Sequence, residues 1–293
     1  MRLSTVILPL ECWSISKHKW RRAEELGFHA AYTYDHLSWQ RLENRTWYAA
    51  LPTLVGASLE TLRLKVGTLV TSPNFRHPVP LAKDLLSLDD MSGGRLIVGI
   101  GAGGTGNDAT VLGGEGWNAR ERADRFDDFV TLLDGLLVQP ITTRRGPYFS
   151  ASDARMLPGP VQRPRPPFFL AANGRRGIEL TARFAQGWVT YGSGDDGSTC
   201  HENVARQLTL LRAALERHGR QLDEVTTVLL DGFSDERPLA SLDAFVDWAG
   251  RYRELGITEL VIHWPEPDSP FDVDVTTFER IAVEGLHQLG DDS

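Results

Sequence analysis

Cysteine is scarce in this chain of 293 residues, with only Cys12 and Cys200. Two cysteines so far apart cannot form the dense disulfide framework of a small secreted domain or a CxxC metal site. The first residues combine one arginine with a short apolar run that ends at Glu11, so we expect a buried first strand and no secretion signal. These features together predict a protein of the reducing cytoplasm.

Long apolar runs and excess positive charge are missing as well. No stretch approaches the roughly 18 consecutive apolar residues that a membrane span needs. The net charge of −8 argues against a surface that neutralises nucleic-acid phosphates or anionic lipid. We therefore expect no nucleic-acid partner and no membrane.

Lysine is rare, with only Lys17, Lys19, Lys65 and Lys83. Schiff-base chemistry in a barrel needs a desolvated lysine at the carboxyl end of a strand. Lys65 is the only one in a predicted strand, and it lies at the start of that strand. A Schiff-base aldolase is therefore excluded.

Short apolar runs that predict strands alternate along the chain with longer segments of helical period. The predicted strands cover residues 3–8, 28–34, 64–70, 96–100, 168–172, 187–191, 225–230 and 259–263. The predicted helices cover residues 19–26, 47–59 (capped by Thr46), 80–91, 120–137, 175–184, 202–218, 242–255 and 277–289. Eight strand–helix pairs predict an α/β fold, a (β/α)8 TIM barrel forming one domain over residues 1–293. An open, doubly wound sheet is the alternative.

The alternation is interrupted after the fourth predicted helix. Residues 139–167 carry seven prolines, which exclude a regular helix there. We predict an insertion at this point that forms turns or a small hairpin. A domain boundary is the other interpretation.

Functional groups of such barrels lie on the loops after the carboxyl ends of the strands. Asp35 and His36 follow the second predicted strand, and they suit an acid–base pair, a fragment of a metal site or a structural pair. A metal-dependent hydrolase would want His-x-His after the first strand, where this chain has Glu11 and Cys12, so we expect no metal. A Gly-x-Ser-x-Gly nucleophile elbow is also absent. The reaction class that remains is chemistry carried by a bound cofactor, which the protein orients and to which it supplies a proton.

The turn after the fifth predicted strand has the properties of an anion site. Residues 173–177, with the sequence NGRRG, lie between a strand and a helix. The first backbone N–H groups of a helix, its dipole and two guanidinium groups all favour a phosphate. The alternative is a tight turn with two solvated arginines.

Residues 99–104 match the pattern G-x-G-x-x-G, but they follow a fourth strand and do not open a helix. A dinucleotide fingerprint is therefore excluded here. These glycines favour either the close approach of a flat ligand to the backbone or a mobile lid over residues 105–117.

Two motifs in order carry a resemblance to a known family. These are GTLVTSPNFRHP at 67–78 and SGGRLIVGIGAG at 92–103, supported by AEELGF at 23–28, PGPVQRP at 158–164 and AQGW at 185–188. The chain resembles the bacterial luciferase-like monooxygenases over roughly residues 3–190. Within that family it is most similar to the oxidoreductases that use the deazaflavin coenzyme F420.

The resemblance implies a (β/α)8 barrel that binds reduced FMN or reduced F420 at its carboxyl end. It implies that His36 acts as acid or base at the reactive ring edge and that Asp35 orients a neighbour or the cofactor chain. Further residues are implied to contact the cofactor: Leu69 and Val70 as a strand bulge behind the ring, often with a cis peptide bond; Gly101, Ala102 and Gly103 along the tail; and Ala172, Asn173, Gly174, Arg175 and Arg176 at the phosphate.

The substrate pocket is less defined. Glu11, Trp13, Trp39 and Trp264 are candidates for its walls, with core packing as the alternative for each tryptophan. Members that oxidise sugar phosphates carry a glutamate where this chain has Gly104, which argues against such a substrate.

Three functions follow from the resemblance. The first is hydride transfer between F420 and a small organic substrate. The second is an FMN-dependent monooxygenase that uses reduced flavin and dioxygen, with a separate flavin or F420 reductase as a partner. The third is a non-catalytic flavin-binding protein. The family analogy also implies a homodimer, with helices of the first half at the interface.

Overall fold

The computed structural model describes residues 1–193 and 197–289. Within these residues the chain forms ten strands: β1 (Arg2–Val6), β2 (Ala30–Thr33), β3 (Lys65–Thr71), β4 (Leu96–Gly101), β5 (Ile141–Arg145), β6 (Ser150–Arg155), β7 (Phe168–Ala171), β8 (Gly187–Thr190), β9 (Thr226–Leu230) and β10 (Glu259–His263). The α-helices of the same residues are α1 (Trp13–Glu25), α2 (Ala50–Glu60), α3 (Pro78–Met91), α4 (Ala119–Val138), α5 (Arg175–Phe184), α6 (Cys200–Arg217), α7 (Leu242–Leu255) and α8 (Val275–Glu284).

Eight of the strands close into a parallel barrel in the order β1, β2, β3, β4, β7, β8, β9, β10. Closure comes from the pairing of the first and last strands, in which Leu3 lies opposite Leu260. The strands β4 and β7 pair directly, because β5 and β6 form a separate antiparallel hairpin. This topology confirms the (β/α)8 TIM barrel with an insertion after the fourth helix and rejects the open sheet.

Both faces of the barrel strands are buried, which is why they appear as short, continuous apolar runs in the sequence. One cluster of side chains fills the interior of the barrel and includes Val6, Tyr32 and Val261. A larger cluster packs the outer face of the strands against the helices, with Trp20 and Phe129 among its members. The interior is therefore filled, and a ligand must bind at its rim.

The hairpin of the insertion packs on α4. The buried carboxylate of Asp128 accepts hydrogen bonds from the backbone N–H groups of Tyr148 and Phe149 and pairs with Arg144 at 2.5 Å. The ring of Phe149 lies edge-on to Phe129, with the centroids 5.5 Å apart. The small hairpin predicted from the prolines is thus confirmed.

The ends of three helices differ most from the prediction. Helix α1 begins at Trp13, well before residue 19, because the buried Ser16 belongs to the same face as Trp20. Thr46 is not a cap: α2 begins after Ala49, which provides no side-chain hydrogen bond. Helix α8 is capped by Asp274 and ends at Glu284, and a short 3-10 turn follows it.

Two kinds of feature are absent from residues 1–193 and 197–289. No helix there combines the length and apolar character needed to cross a bilayer. In that same part of the chain no three histidine, cysteine or acidic side chains come together as a metal site would require. In a barrel of this type the functional groups lie on the loops at the carboxyl end of the strands.

Candidate active site

A groove of about 450 Å³ runs along the carboxyl ends of β2, β3, β4 and β7. Its volume falls within the range of roughly 300–1,000 Å³ that is typical of small-molecule sites. Seven of the residues predicted from the sequence line this groove: His36, Trp39, Val70, Gly101, Ala102, Gly103 and Asn173.

The groove adjoins a second hollow of about 360 Å³ at the start of α5. Ala102, Ala171 and Asn173 line both spaces, so the two lie side by side. The second hollow is also lined by Ala172, Gly174 and Arg175. A single ligand could therefore extend from His36 to the N-terminus of α5.

The N-terminus of α5 has the properties of an anion site. Its cap residue, Gly174, provides no side-chain hydrogen bond, and the first turn contains no acidic residue. The first backbone N–H groups of the helix are thus left for a ligand. Arg175 has no ion-pair partner in the described part of the chain, whereas Arg176 pairs with Asp124 of α4. Only one of the two predicted guanidinium groups is therefore uncommitted.

His36 is held by a residue that the sequence analysis did not single out. Its Nδ1 lies 2.6 Å from Oδ2 of Asp108, which sits in a 3-10 turn of the glycine-rich loop after β4. The other oxygen of Asp108 accepts hydrogen bonds from the backbone N–H groups of Leu37 and Ser38 at 2.9 and 3.3 Å. Because a carboxylate only accepts, Nδ1 carries the proton and Nε2 is left as the basic nitrogen. The only signal in the sequence was an acidic residue in a loop next to a strand end.

Asp35 has a different neighbour. It is 2% exposed, and both its oxygens receive hydrogen bonds from the guanidinium of Arg76, at 2.7 and 3.0 Å. Such a bidentate pair fixes both side chains. Asp35 therefore anchors the loop after β3 to the end of β2, and it does not line the groove.

The floor of the groove is formed by β3 and β4. The pairing of these strands shifts register between Thr68 and Thr71, and the peptide bond between Leu69 and Val70 is cis. Leu69 is buried in the barrel interior, while Val70 lines the groove. A Cβ atom on Gly101 would lie 2.7 Å from Cγ2 of Val70. Residue 101 must therefore lack a side chain for the bulge at Val70 to fit beside it.

A stack of rings closes one side of the groove. Trp39 stacks on Phe271 with the centroids 6.0 Å apart, and Phe271 stacks on His263 at 3.5 Å. Oη of Tyr34 lies 2.7 Å from Nε2 of His263. Burial lowers the pKa of His263 to about 3, so its ring is neutral at physiological pH. Trp39 is the only ring of this stack that lines the groove in the described residues.

The other proposed wall residues lie elsewhere, which corrects that part of the prediction. Trp13 begins α1 and fills the space over Gly56 of α2, where a Cβ atom would come within 2.6 Å of its ring. Trp264 packs edge-on against Phe278 of α8, at 5.1 Å between centroids. Glu11 pairs with Lys19 of α1 at 3.0 Å. None of the three predicted residues lines the groove, because each packs against or pairs with a residue of a neighbouring helix.

The bulged strand, the glycines of β4 and the open N-terminus of α5 occur here in one groove. A family profile for luciferase-like monooxygenases matches residues 19–234 of the chain. The chain belongs to this family. This confirms the resemblance inferred from the motifs in the first two-thirds of the sequence.

One curated relative of this luciferase-like chain is an F420-dependent glucose-6-phosphate dehydrogenase from Microbacterium testaceum strain StLB037. The two are 33% identical over 208 residues, which cover 71% of this chain and 60% of the relative. The chain thus spans about 60% of the length of the curated relatives it matches.

Two solved structures share the fold. Monooxygenase RslO1 from Streptomyces bottropensis superposes with a TM-score of 0.80 at 22% identity, covering 98% of this chain and 99% of that one. The coenzyme F420-dependent tetrahydromethanopterin reductase from Methanopyrus kandleri gives 0.77 at 18% identity, covering 98% and 99%. At these sequence identities the two structural similarities show only that the fold is shared.

Proposed function

We propose that this luciferase-like protein is an oxidoreductase that transfers hydride between coenzyme F420 and a small organic molecule. The observation that carries the proposal is the pair of adjoining hollows that lie between His36, held by Asp108, and the uncapped N-terminus of α5. The name of the curated relative from Microbacterium supports the choice of F420 over FMN.

The residues of the groove fit a flat ring with a phosphate-bearing tail. Val70 and Gly101, which has no side chain, provide a floor for the ring, and Ala102 and Gly103 line the groove where the tail would lie. The N–H groups at the start of α5 and the guanidinium of Arg175 would hold the phosphate. When bound there, F420 would supply the carbon that accepts or donates the hydride.

In this proposal His36 moves the proton that accompanies the hydride. Asp108 accepts the hydrogen bond from Nδ1 and keeps the ring in the tautomer with a basic Nε2. When hydride leaves the carbon of an alcohol substrate, the hydroxyl proton passes to Nε2, and the reverse reaction returns it. Asp108 is thus a positioning residue, which also stabilises the imidazolium that forms.

The loop after β4 lacks a glutamate that bears on the substrate class. The loop after β4 has Gly104 at the position where family members that oxidise sugar phosphates carry a glutamate. We therefore propose a small alcohol or carbonyl compound and expect glucose 6-phosphate to be oxidised poorly, in contrast to the substrate in the name of the curated relative.

The first experiment measures which cofactor binds and whether oxygen is used. The protein is titrated with F420 and with FMN, and reduction of F420 by 2-propanol or glucose 6-phosphate is then followed anaerobically by absorbance. We expect F420 to bind more tightly, His36→Ala to abolish turnover but not binding, and no oxygen to be consumed. Stoichiometric oxygen consumption with reduced FMN would instead favour the monooxygenase and a reductase partner. Tight binding of F420 with no turnover of any substrate in a wider alcohol panel would favour a binding protein.

A homodimer is the proposed assembly. Leu59, in the last turn of α2, and Leu62, just after that helix, are 65% and 81% exposed, and an interface formed by the helices of the first half would cover such side chains. We expect sedimentation velocity to give a dimer and Leu59→Asp with Leu62→Asp to give a monomer. A monomeric wild type would contradict this assembly. The free thiols of Cys12 and Cys200 support the cytoplasm as the proposed compartment.

A further inference from the structure

Two of the ring side chains that line the groove, His36 and Trp39, belong to the loop after β2. The hydrogen bond to Asp108 constrains the Nδ1 edge of the His36 ring. Proton transfer also requires the opposite edge, at Nε2, to lie within hydrogen-bond reach of the substrate. The side chains packed behind the ring therefore decide how accurately that edge is aimed.

Two further rings pack behind His36 and Trp39. The ring of Tyr34 lies edge-on to both, with its centroid 6.0 Å from that of His36 and 5.4 Å from that of Trp39. Trp47 contacts the same pair: it lies edge-on to His36 and tilted against Trp39, at 6.1 Å between centroids in each case. Neither Tyr34 nor Trp47 lines the groove. Both therefore act on a bound ligand only through the two rings that they support.

Tyr34 is fixed by the barrel itself. It directly follows β2, is 3% exposed and belongs to the cluster of side chains inside the barrel. Its Oη lies 2.7 Å from Nε2 of His263, the last residue of β10. A substitution of Tyr34 would thus disturb the barrel interior together with the groove, and its effect on the site could not be separated from its effect on the fold.

Trp47 is held by the loop that carries it. The next residue, Tyr48, donates its backbone N–H to the carbonyl oxygen of Pro9 at 2.8 Å, in the loop after β1. Two residues before Trp47, the guanidinium of Arg45 pairs with Glu266 at 2.7 Å, in the loop after β10. Glu266 is 5% exposed, so this ion pair is shielded on one side. Residues 45–48 are therefore tied to the loops on either side of them, and the position of Trp47 is set before any ligand binds.

The contribution of Trp47 is one of packing. Its indole N–H is buried and has no hydrogen-bond partner among the residues that the structure describes. Edge-to-face contacts between rings stabilise their mutual geometry beyond the burial of apolar area alone. Phenylalanine at position 47 would keep such contacts and would leave no buried donor unpaired, whereas alanine would remove the ring.

We propose that Trp47 is a positioning residue, a role that rests on the proposed function, in which His36 moves the proton. The hydrogen bond to Asp108 fixes the Nδ1 edge of His36, and the Trp47 ring behind it fixes the direction in which Nε2 points. Without the indole, the imidazole is free to turn into the vacated space. A displacement of about 1 Å at a reacting group can lower a rate by roughly 100-fold.

The first test compares the rates of hydride transfer of three variants in anaerobic single turnovers with F420 and an alcohol. Trp47→Ala should lower the rate at least tenfold and leave the dissociation constant of F420 within twofold of wild type. Trp47→Phe should stay within about threefold of the wild-type rate. The control is Trp264→Ala, which removes another half-buried indole, one that packs on Phe278 outside the groove. It should lower thermal stability without lowering the rate. A rate of Trp47→Ala within twofold of wild type, or a rate of Trp47→Phe as low as that of Trp47→Ala, would overturn the proposal.

A second readout needs no turnover. Proton NMR of the protein without cofactor follows the Nδ1 proton of His36, which should give a downfield resonance because it is donated to a carboxylate at 2.6 Å. Its absence from the spectrum of His36→Ala assigns it. We expect the resonance in wild type and Trp47→Phe, and its loss through faster exchange with water in Trp47→Ala. If it is lost in Trp47→Ala while the wild type transfers no hydride, Trp47 still orients His36 and only the proposed function fails. A resonance unchanged in Trp47→Ala would show that Trp47 does not position His36.

Discussion

Asp108→Asn tests how the proposed acid–base group is built. In the protein as it stands, Oδ2 of Asp108 accepts the proton of Nδ1 of His36 at 2.6 Å. An asparagine in the same place presents either a neutral oxygen or an N–H group to that nitrogen. The N–H group would hold His36 in the opposite tautomer, with its proton on Nε2.

The size of the effect follows from the type of hydrogen bond. A hydrogen bond to a charged group contributes about 1.5–3 kcal/mol, which corresponds to a loss of roughly 10- to 150-fold in kcat. The fold should tolerate the change, because the asparagine oxygen can still accept the backbone N–H groups of Leu37 and Ser38. We therefore expect unchanged thermal stability and unchanged F420 affinity.

The assay is a single-turnover measurement under anaerobic conditions, in which the absorbance of F420 reports hydride transfer. The expected signature is a fall in the rate of transfer with little change in the dissociation constant of F420 or in the substrate concentration that gives half of the maximal rate. Asp84→Asn serves as the control with the same loss of charge. A rate within twofold of wild type would refute the positioning role of Asp108. A loss of rate that only parallels a loss of cofactor affinity would refute it too.

Three further predictions concern the groove and Asp231, which follows β9. Gly101→Ala places a methyl group 2.7 Å from Cγ2 of Val70 and should weaken F420 binding at least tenfold in a fluorescence titration. Gly104→Ala, whose new methyl group would have its nearest neighbour at 3.9 Å, should leave F420 binding unchanged. Arg175→Ala should weaken F420 binding more than Arg176→Ala, because the second guanidinium is already paired on α4; equal losses would contradict the proposed anion site. The pKa of Asp231 is raised by burial from 3.8 to about 7, so the wild type loses stability as the pH rises through this range, by about 4 kcal/mol in total. Urea unfolding should therefore show Asp231→Asn to be more stable than wild type at pH 8 and nearly equal to it at pH 4. A difference in the free energy of unfolding that does not change with pH would refute this.

The architecture could be predicted from the sequence because it depends on local periodicity. A strand buried on both faces needs a short run of apolar residues, and a helix packed on the barrel needs a stripe, whatever the rest of the chain does. The ends of the strands then identify the loops of the functional rim without any knowledge of contacts. His36 and Gly101 were predicted at the rim in this way, whereas Val70 was predicted from the family resemblance.

The pairs within the site could not be predicted, because each depends on how one loop folds across another. Nothing in the local sequence indicates that His36 meets Asp108, 72 positions away, or that Asp35 meets Arg76. The direction of the tryptophan rings was decided by packing, since Trp13 turns toward Gly56 and away from the rim. The sequence by itself determined the barrel and the position of its rim, because these follow from patterns within single elements. The tertiary structure alone decided which side chains work together, because loop contacts join residues that are distant along the chain.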